Sequence, residues 1–379
     1  FRRVLFRSNQ VQKMWGWSIL GQYFRALSGL RFDRVGGSEC DVMHNMIPEA
    51  VHAGPDVFWA HGCITNHLDH DADHLKLGQL DMPERFFASN GSITEAGQYP
   101  NDFLLGVATP CNNSQFRRQM RARRSMPVAV AGHPALRFAV ADATGGSDQA
   151  PGFTLFLLRI LMFDILKIGA IPTAEIIFYT ASFLVLQSFG LGVVGSALLA
   201  LVMTELLLPL LCLALKICLV GRWGSDAIAP FWSIRHFTYF FSQDCFFGWC
   251  SNSINLFAGT LLPNTFLRLM GCRIGKRTLI TSPLQAFDWN AINLGQDCVA
   301  DGVFQLHSFE NMTLKVKQSR IGDNCCIGPG ACIMGGVTLD DGSSLNALSL
   351  VLKDMQLPTG SYEGSPAVAC RSILPSPGR

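Results

Sequence analysis

His307, in Leu306-His307-Ser308-Phe309-Glu310, has the residue type and surroundings for proton-transfer chemistry. Acyl transfer needs a base that deprotonates an attacking amine or hydroxyl beside a thioester, and histidine near its ordinary pKa suits that task. Glu310, three residues on, would orient the imidazole and stabilise its cation. On spacing alone the competing reading is a loop histidine with an unrelated carboxylate nearby. A second group contains His61, His67, Asp69, His70, Asp71, Asp73 and His74. Counted from the matching triplets Gly54-Pro55-Asp56 and Gly295-Gln296-Asp297, His67 falls within one residue of the place of His307. It is therefore the expected base of a second or vestigial site. His67, His70 and His74 could alternatively hold zinc, as three histidines do in the gamma class of carbonic anhydrases. No metal is favoured, because acidic, histidine-rich loops are more often solvated.

The elements that position these residues have a period of six. From Ile321 a branched aliphatic recurs at Ile327, Ile333, Leu339, Leu345 and Val351, with a small residue or Val two places earlier at Ser319, Cys325, Ala331, Val337, Ser343 and Ser349. Neither a helix nor an ordinary strand repeats at six; short strands stacked into a triangular β-solenoid do. Glycine follows the ladder at Gly275, Gly295, Gly322 and Gly328, where a Cβ would obstruct a corner. His307 lies in an interruption of this ladder, where a loop would leave the coil. A fainter ladder, Phe87, Ile93, Tyr99 and Leu105, marks a first copy. Phe24, Leu27, Gly29 and Arg31 match Phe266, Leu269, Gly271 and Arg273, and Gly132-His133-Pro134-Ala135 matches Gly364-Ser365-Pro366-Ala367. The predicted fold is mainly β, with two left-handed parallel β-helix (hexapeptide-repeat) domains.

Between the copies the composition changes. The chain is 49% hydrophobic and 15% charged, too apolar for an average soluble protein, and the excess is local. Thr173 to Val193 and Val194 to Val220 are each long enough to cross a hydrocarbon core of roughly 30 Å, with Gly190-Leu191-Gly192 as the turn. A transmembrane α-helical hairpin is expected. Phe153 to Ile171, with Arg159, Asp164 and Lys167 along one side, is read as a helix lying in the interface, or else as a third span. Pro230 to Leu262 is read as an aromatic-rich interfacial linker, Pro209 as a kink, and Glu205 as a polar group facing protein or water. Arg117, Arg118, Arg121, Arg123 and Arg124 precede the hairpin, and Lys216, Arg222 and Arg235 follow it. Both flanks are thus expected in the cytoplasm, with the hairpin in the cell membrane and the lipid bilayer as partner. The arginine run is read as topological; no nucleic acid partner is expected.

The thirteen cysteines contain no CxxC pair, and Cys325 and Cys332 fall on or beside the ladder, as reduced small residues of a cytoplasmic domain would. Val4-Leu5-Phe6-Arg7-Ser8 is what a common sequencing-library adaptor encodes in frame, so residues 1–8 are set aside as adaptor-derived and further domains are expected upstream. The remaining boundaries are 9–145 for the first β-helix, 146–262 for the membrane region and 263–379 for the second β-helix.

Leu345-x-x-Leu348-Ser349-Leu350-Val351-Leu352-Lys353, Leu357-Pro358, Gly364-Ser365-Pro366-Ala367, Leu306-His307-x-Phe309-Glu310 and Phe266 to Gly275 together resemble a known family. The resemblance is to the carboxy-terminal membrane region of ε-poly-lysine-synthetase-type nonribosomal peptide synthetases, and it covers nearly the whole chain. It implies a membrane-bound aminoacyl or peptidyl transferase that forms amide bonds from thioesters on a phosphopantetheine carrier. Adenylation and carrier domains would be its partners. It further implies that Ser349, Lys353, Gly364, Pro366 and Ala367 meet the pantetheine arm; for the Gly-Ser-Pro-Ala turn, coil termination is the alternative. Asn311 and Met312 stand where the family has an acidic residue and Arg, and Lys353-Asp354-Met355 where it has Lys-Gly-Glu. Different specificity or one inactive copy would follow. The alternatives are an acetyltransferase using acyl-CoA, a carrier-docking scaffold, and a metal-dependent β-helix enzyme. Association of the solenoids into an oligomer is a further expectation.

Overall fold

The computed structural model describes strands scattered between residues 31 and 111 and then the chain from 153 to 370, except 222–225, 231, 284–285, 287 and 311–312. Two compact units divide it: 1–144 with 156–168, and 145–155 with 169–379. Residues 1–8, the arginine run and the carboxy-terminal end lie outside the described residues.

In the first unit, short strands stack in parallel on three faces. One face holds Arg31–Phe32, Val51–Ala53, Leu80–Met82 and Gly97–Gln98; the second holds Gly37–Ser38, Phe58–Trp59, Phe87–Ala88 and Leu104–Leu105; the third holds Ile64–Asn66, Ile93–Glu95 and Pro110–Cys111. Leu80, Met82, Ala88, Thr94 and Tyr99 are buried in its core. Tyr99 is a position of the expected ladder, and Ala88 and Thr94 each follow one; the side chains of Phe87 and Ile93 lie outside the described residues. Between Ile64–Asn66 and Leu80–Met82 the chain leaves the coil as an antiparallel hairpin, Leu68–Asp71 against His74–Leu77.

The helical region begins with α1, Phe153–Arg159, which continues as a π-helix over Ile160–Ala170. Arg159, Asp164 and Lys167 are buried, which corrects the expected amphipathic surface helix: its charged side faces protein, not water. Helix α2 covers Ile171–Ser188, with a proline in its first turn, where the missing N–H has no intrahelical partner to lose. After a turn at Gly190 (φ +80°), α3 covers Val193–Leu219 and runs through Pro209. The two helices pack as a hairpin, and Gln187 Nε2 donates to Ser196 Oγ at 3.1 Å across the turn. Among the described residues, α3 is the one helix long and apolar enough to cross a membrane. Helix α4, Ile234–Leu256, is capped by Ser233, whose hydroxyl accepts from the His236 N–H, and α5 covers Leu261–Met270. Phe237, Tyr239, Phe240, Phe241 and Phe246 of α4 are buried, so the expected interfacial linker is instead a core helix along this stretch. Its aromatic rings pack on protein: Phe246 meets Trp289 edge-on, with ring centres 5.3 Å apart.

The second solenoid repeats the three-faced plan with a steady step of eighteen residues, Ile321 over Leu339, Ile327 over Leu345 and Ile333 over Val351. All six ladder aliphatics and all six residues two places earlier are buried. Each coil covers the apolar face of its neighbour, so stability accumulates by stacking. The glycines after the ladder serve stacking rather than the corner bend: a Cβ on Gly322 would lie 2.7 Å from the Asp341 backbone nitrogen of the next coil. The left-handed corner residues fall three places after the ladder, at Asn324, Gly330, Gly336, Gly342, Leu348 and Asp354. Helix α5 covers the first coil: Asn264 Nδ2 donates to the Thr278 carbonyl, and Arg268 donates to the carbonyls of Ile274 and Gly275.

Candidate active site

The regular step breaks once. Leu294 pairs with Ile321, so that coil is longer, and the additional residues form the antiparallel hairpin His307–Glu310 against Thr313–Lys317. A third strand, Asp226–Pro230, zips onto the outer edge of Thr313–Lys317. The hairpin base is closed by Lys317 N–H to Leu306 C=O at 3.0 Å and rests on the corner at Gly335 and Gly336. The sequence break at His307 is thus an extruded sheet, and His307 is the first residue of its inner strand.

His307 is 5% exposed and Asp288 is 2% exposed. Asp288 begins the 3₁₀ turn Trp289–Ala291, on the coil end facing α4. Its Oδ2 accepts from the Leu306 N–H at 2.7 Å and the His307 N–H at 3.0 Å, and its Oδ1 lies 2.8 Å from His307 Nδ1. Helix α4 adds two donors to Oδ1: the Tyr239 hydroxyl, and Gln243 Nε2 at 3.4 Å. With Nδ1 set against the carboxylate oxygens, the imidazole proton is assigned to Nδ1, and the Nε2 lone pair is left to accept. Gln305 Nε2 is 2.9 Å from that Nε2 and donates to it. Tyr239 and Phe240 close over the ring edge-on. The arrangement is a dry His–Asp dyad whose tautomer suits a general base.

The carboxylate on His307 is therefore Asp288. Glu310 lies at the far end of the same strand, opposite Thr313, and its side chain is outside the described residues. Lys353 sits at the corner one coil beyond Gly335, half-buried, and burial pushes its ammonium down to about 8. Its neighbour Asp354 pairs with Lys317 of the hairpin, so the structure brings the Lys353 corner and the His307 hairpin together. Ser349 is an interior ladder residue, 1% exposed, and its hydroxyl has no hydrogen-bond partner. The expectation that it meets a pantetheine arm at the surface is corrected, since its side chain points into the coil. Gly364 and Ala367 bond the backbone of Leu350 and so extend the third face as a coil end. Pro366 is exposed between them, and Ala367 is buried.

His67 lies outside the described residues. His70 and His74 belong to the first unit's hairpin, where His70 pairs with Leu75 and His74 with Asp71, so they are not cross-strand partners. Among the described residues no group of three His, Cys, Asp or Glu could hold a metal. Matching strand Val51–Ala53 to Ile292–Leu294 sets Ile47 at the place of Asp288 and Asn66 at the place of His307, with His67 one residue beyond. The first copy has a hairpin at the same point of the coil, and its aligned positions carry neither the Asp nor the His in sequence.

Asp288, Gln305, Tyr239 and Gln243 were missed by sequence reasoning. One signal was present: Asp288 is the only charged residue between Thr278 and Gln296, flanked by Phe287 and Trp289. A lone acid in an apolar run is buried with partners or not tolerated.

The chain is 25% identical over 373 residues to the delta-poly-L-ornithine synthetase of Acinetobacter baumannii, with 91% of this chain and 26% of that relative covered. The chain thus spans about a quarter of the length of that curated relative. No protein-family model matches it. Similar solved structures include a galactoside acetyltransferase in complex with coenzyme A, at 22% identity, 27% of this chain, 56% of that chain and a TM-score of 0.22. A hexapeptide-repeat acetyltransferase from Vibrio cholerae is 17% identical, over 45% of this chain and 92% of that one, with a TM-score of 0.24.

Proposed function

We propose that the chain is an acyltransferase that joins aminoacyl or peptidyl units from carrier-bound thioesters to an amine, as part of a longer peptide synthetase. The buried His307–Asp288 dyad at the base of the extruded hairpin carries this reading. In the reaction, the Gln305 amide gives way at His307 Nε2, which takes the proton of the attacking amine as its nitrogen bonds to the thioester carbonyl. Asp288 holds the imidazolium so formed, the carbon–sulfur bond breaks, and the imidazolium returns the proton to the leaving thiolate. The products are an amide and a free thiol. The synthetase named for the relative polymerises ornithine, which supports amide formation over other acyl transfers. Adenylation and carrier domains are the proposed partners, and Lys353 is the proposed contact for the phosphate of the pantetheine arm.

Helix α3, with α2 packed beside it, is the proposed anchor in the cell membrane, both β-helices facing the cytoplasm in keeping with the basic residues on either flank. The first solenoid, whose aligned positions hold Ile47 and Asn66, is assigned to docking, with His67 as the base of a vestigial site. The test is single-turnover thiol release from an aminoacyl-phosphopantetheine thioester with added amine, run beside the matching acyl-CoA. Turnover with the carrier-type donor that is lost in His307→Ala supports the proposal. Turnover with acyl-CoA alone would replace the donor, and full turnover in His307→Ala would end the assignment of the base.

A further inference from the structure

Helix α4 does not stay on the solenoid. Its first half packs there through Tyr239, Gln243 and Phe246. Its second half runs antiparallel to α3, where Trp249 Nε1 donates to the Ile171 carbonyl at 2.9 Å and Ser253 Oγ donates to Glu205 Oε2 at 2.5 Å. At the other end of α3, Lys216 Nζ donates to Asn290 Oδ1 of the solenoid at 3.1 Å, which marks the protein-side boundary of the helix. From Lys216 to Glu205 is eleven residues, roughly 16 Å of helix. That is about half of a 30 Å hydrocarbon core.

We propose that the turn between α4 and α5 is a lipid-embedded wedge, inserted among the acyl chains of the bilayer to about the depth of Glu205. The inference rests on α3 being in the membrane. Three observations carry it. Residues 245–267 contain no Asp, Glu, Lys or Arg. At the turn, Leu256 is 76% exposed, Leu261 77% and Leu262 58%, continuous with the exposed leucines of α3, such as Leu198, Leu201 and Leu206. The turn also satisfies part of its own polar backbone, which lowers the cost of placing it in hydrocarbon. Phe257 N–H bonds Ser253 C=O, Ala258 N–H bonds Asn255 C=O and Thr260 N–H bonds Phe257 C=O. The Thr260 hydroxyl donates to Phe257 C=O and accepts from Leu262 N–H, and the Thr265 hydroxyl donates to Leu261 C=O. The Ser253 bond to Glu205 then supplies a partner to an acidic group that lipid would otherwise penalise. A water-facing turn of this length would gain nothing from excluding charge.

The experiment places a photo-reactive benzophenone amino acid at single positions in the full chain, reconstituted in phosphatidylcholine–phosphatidylglycerol vesicles, and detects lipid adducts by mass spectrometry. Leu198→benzoylphenylalanine reports α3, Leu261→benzoylphenylalanine reports the wedge, and Leu348→benzoylphenylalanine, on an exposed solenoid corner, is the control. Adducts at 198 and 261, absent at 348, are the expected result. Adducts at 198 without adducts at 261 overturn the wedge and leave the membrane helix standing. Adducts at neither overturn both. Leu262→benzoylphenylalanine repeats the reading should the Leu261 variant fail to fold.

Discussion

Asp288→Asn tests the dyad without changing its shape. The two oxygens of Asp288 share His307 Nδ1, at 2.8 Å from Oδ1 and 2.9 Å from Oδ2, but differ otherwise: Oδ2 accepts from the backbone N–H groups of Leu306 and His307, and Oδ1 from the Tyr239 hydroxyl. An asparagine must keep its oxygen toward the two backbone donors, because an amide nitrogen there would leave both buried and unpaired, at about 1–3 kcal/mol each. Its NH₂ then takes the place of Oδ1 beside Nδ1. The oxygen kept at the Oδ2 place still lies 2.9 Å from Nδ1, so the amide weakens the Nδ1-protonated tautomer and removes the negative charge that holds the imidazolium. The expected loss is that of a general base, about 10²- to 10⁴-fold in kcat/KM, with little change in thermal unfolding. Thiol release from the aminoacyl thioester, measured across pH beside an unfolding curve, reads both. A variant that turns over within a few-fold of the parent while folding normally would refute the tautomer argument, and with it the role of Asp288.

Four further outcomes are expected. Tyr239→Phe removes a donor from the carboxylate, which leaves more negative charge to stabilise the imidazolium; the acidic limb of the pH profile of kcat/KM moves to higher pH. An unchanged profile would reduce Tyr239 to packing. Ile333→Ala, at a position 1% exposed, should cost about 2–5 kcal/mol in denaturant unfolding of the second unit. Gly322→Ala should destabilise the same unit, because the new methyl group meets the backbone of the next coil. Lys353 has a folded-state pKa lowered to about 8 by burial, so the folded state binds fewer protons than the unfolded chain between there and the ordinary lysine value. Its contribution to stability therefore rises with pH through that window, and Lys353→Met should flatten the slope in unfolding experiments run from pH 7 to 10.

The second solenoid was legible because its period is set by burial: one aliphatic per face must be covered by the next coil, so Ile321 to Val351 announce both fold and coil length. The helix pair was equally plain in hydropathy, although Glu175 and Gln187 leave α2 less apolar than α3. His307 was legible as a break in that period. Its partner was not, since Asp288 reaches it from the preceding coil, 19 positions away, and only the stacking of coils brings the two together. Glu310 was proposed as the carboxylate three residues on in a loop, but in a strand a separation of three puts two residues on opposite faces. Tyr239 and Gln243 were hidden for a related reason: Pro230 to Leu262 has the aromatic composition of a membrane interface, and nothing local distinguishes rings that face headgroups from rings that cover Trp289.

The strand Asp226–Pro230 and helix α4 make the second solenoid indivisible from what precedes it. A fragment cut at the start of α5 would keep every coil and His307, yet it would bare the edge of Thr313–Lys317 and strip two donors from the Asp288 carboxylate. An unpaired edge strand invites pairing with another chain. Such a fragment is expected to aggregate through that edge and to be inert even where it stays soluble. With α3 anchored as proposed, purification begins from detergent or nanodiscs, with the helices attached.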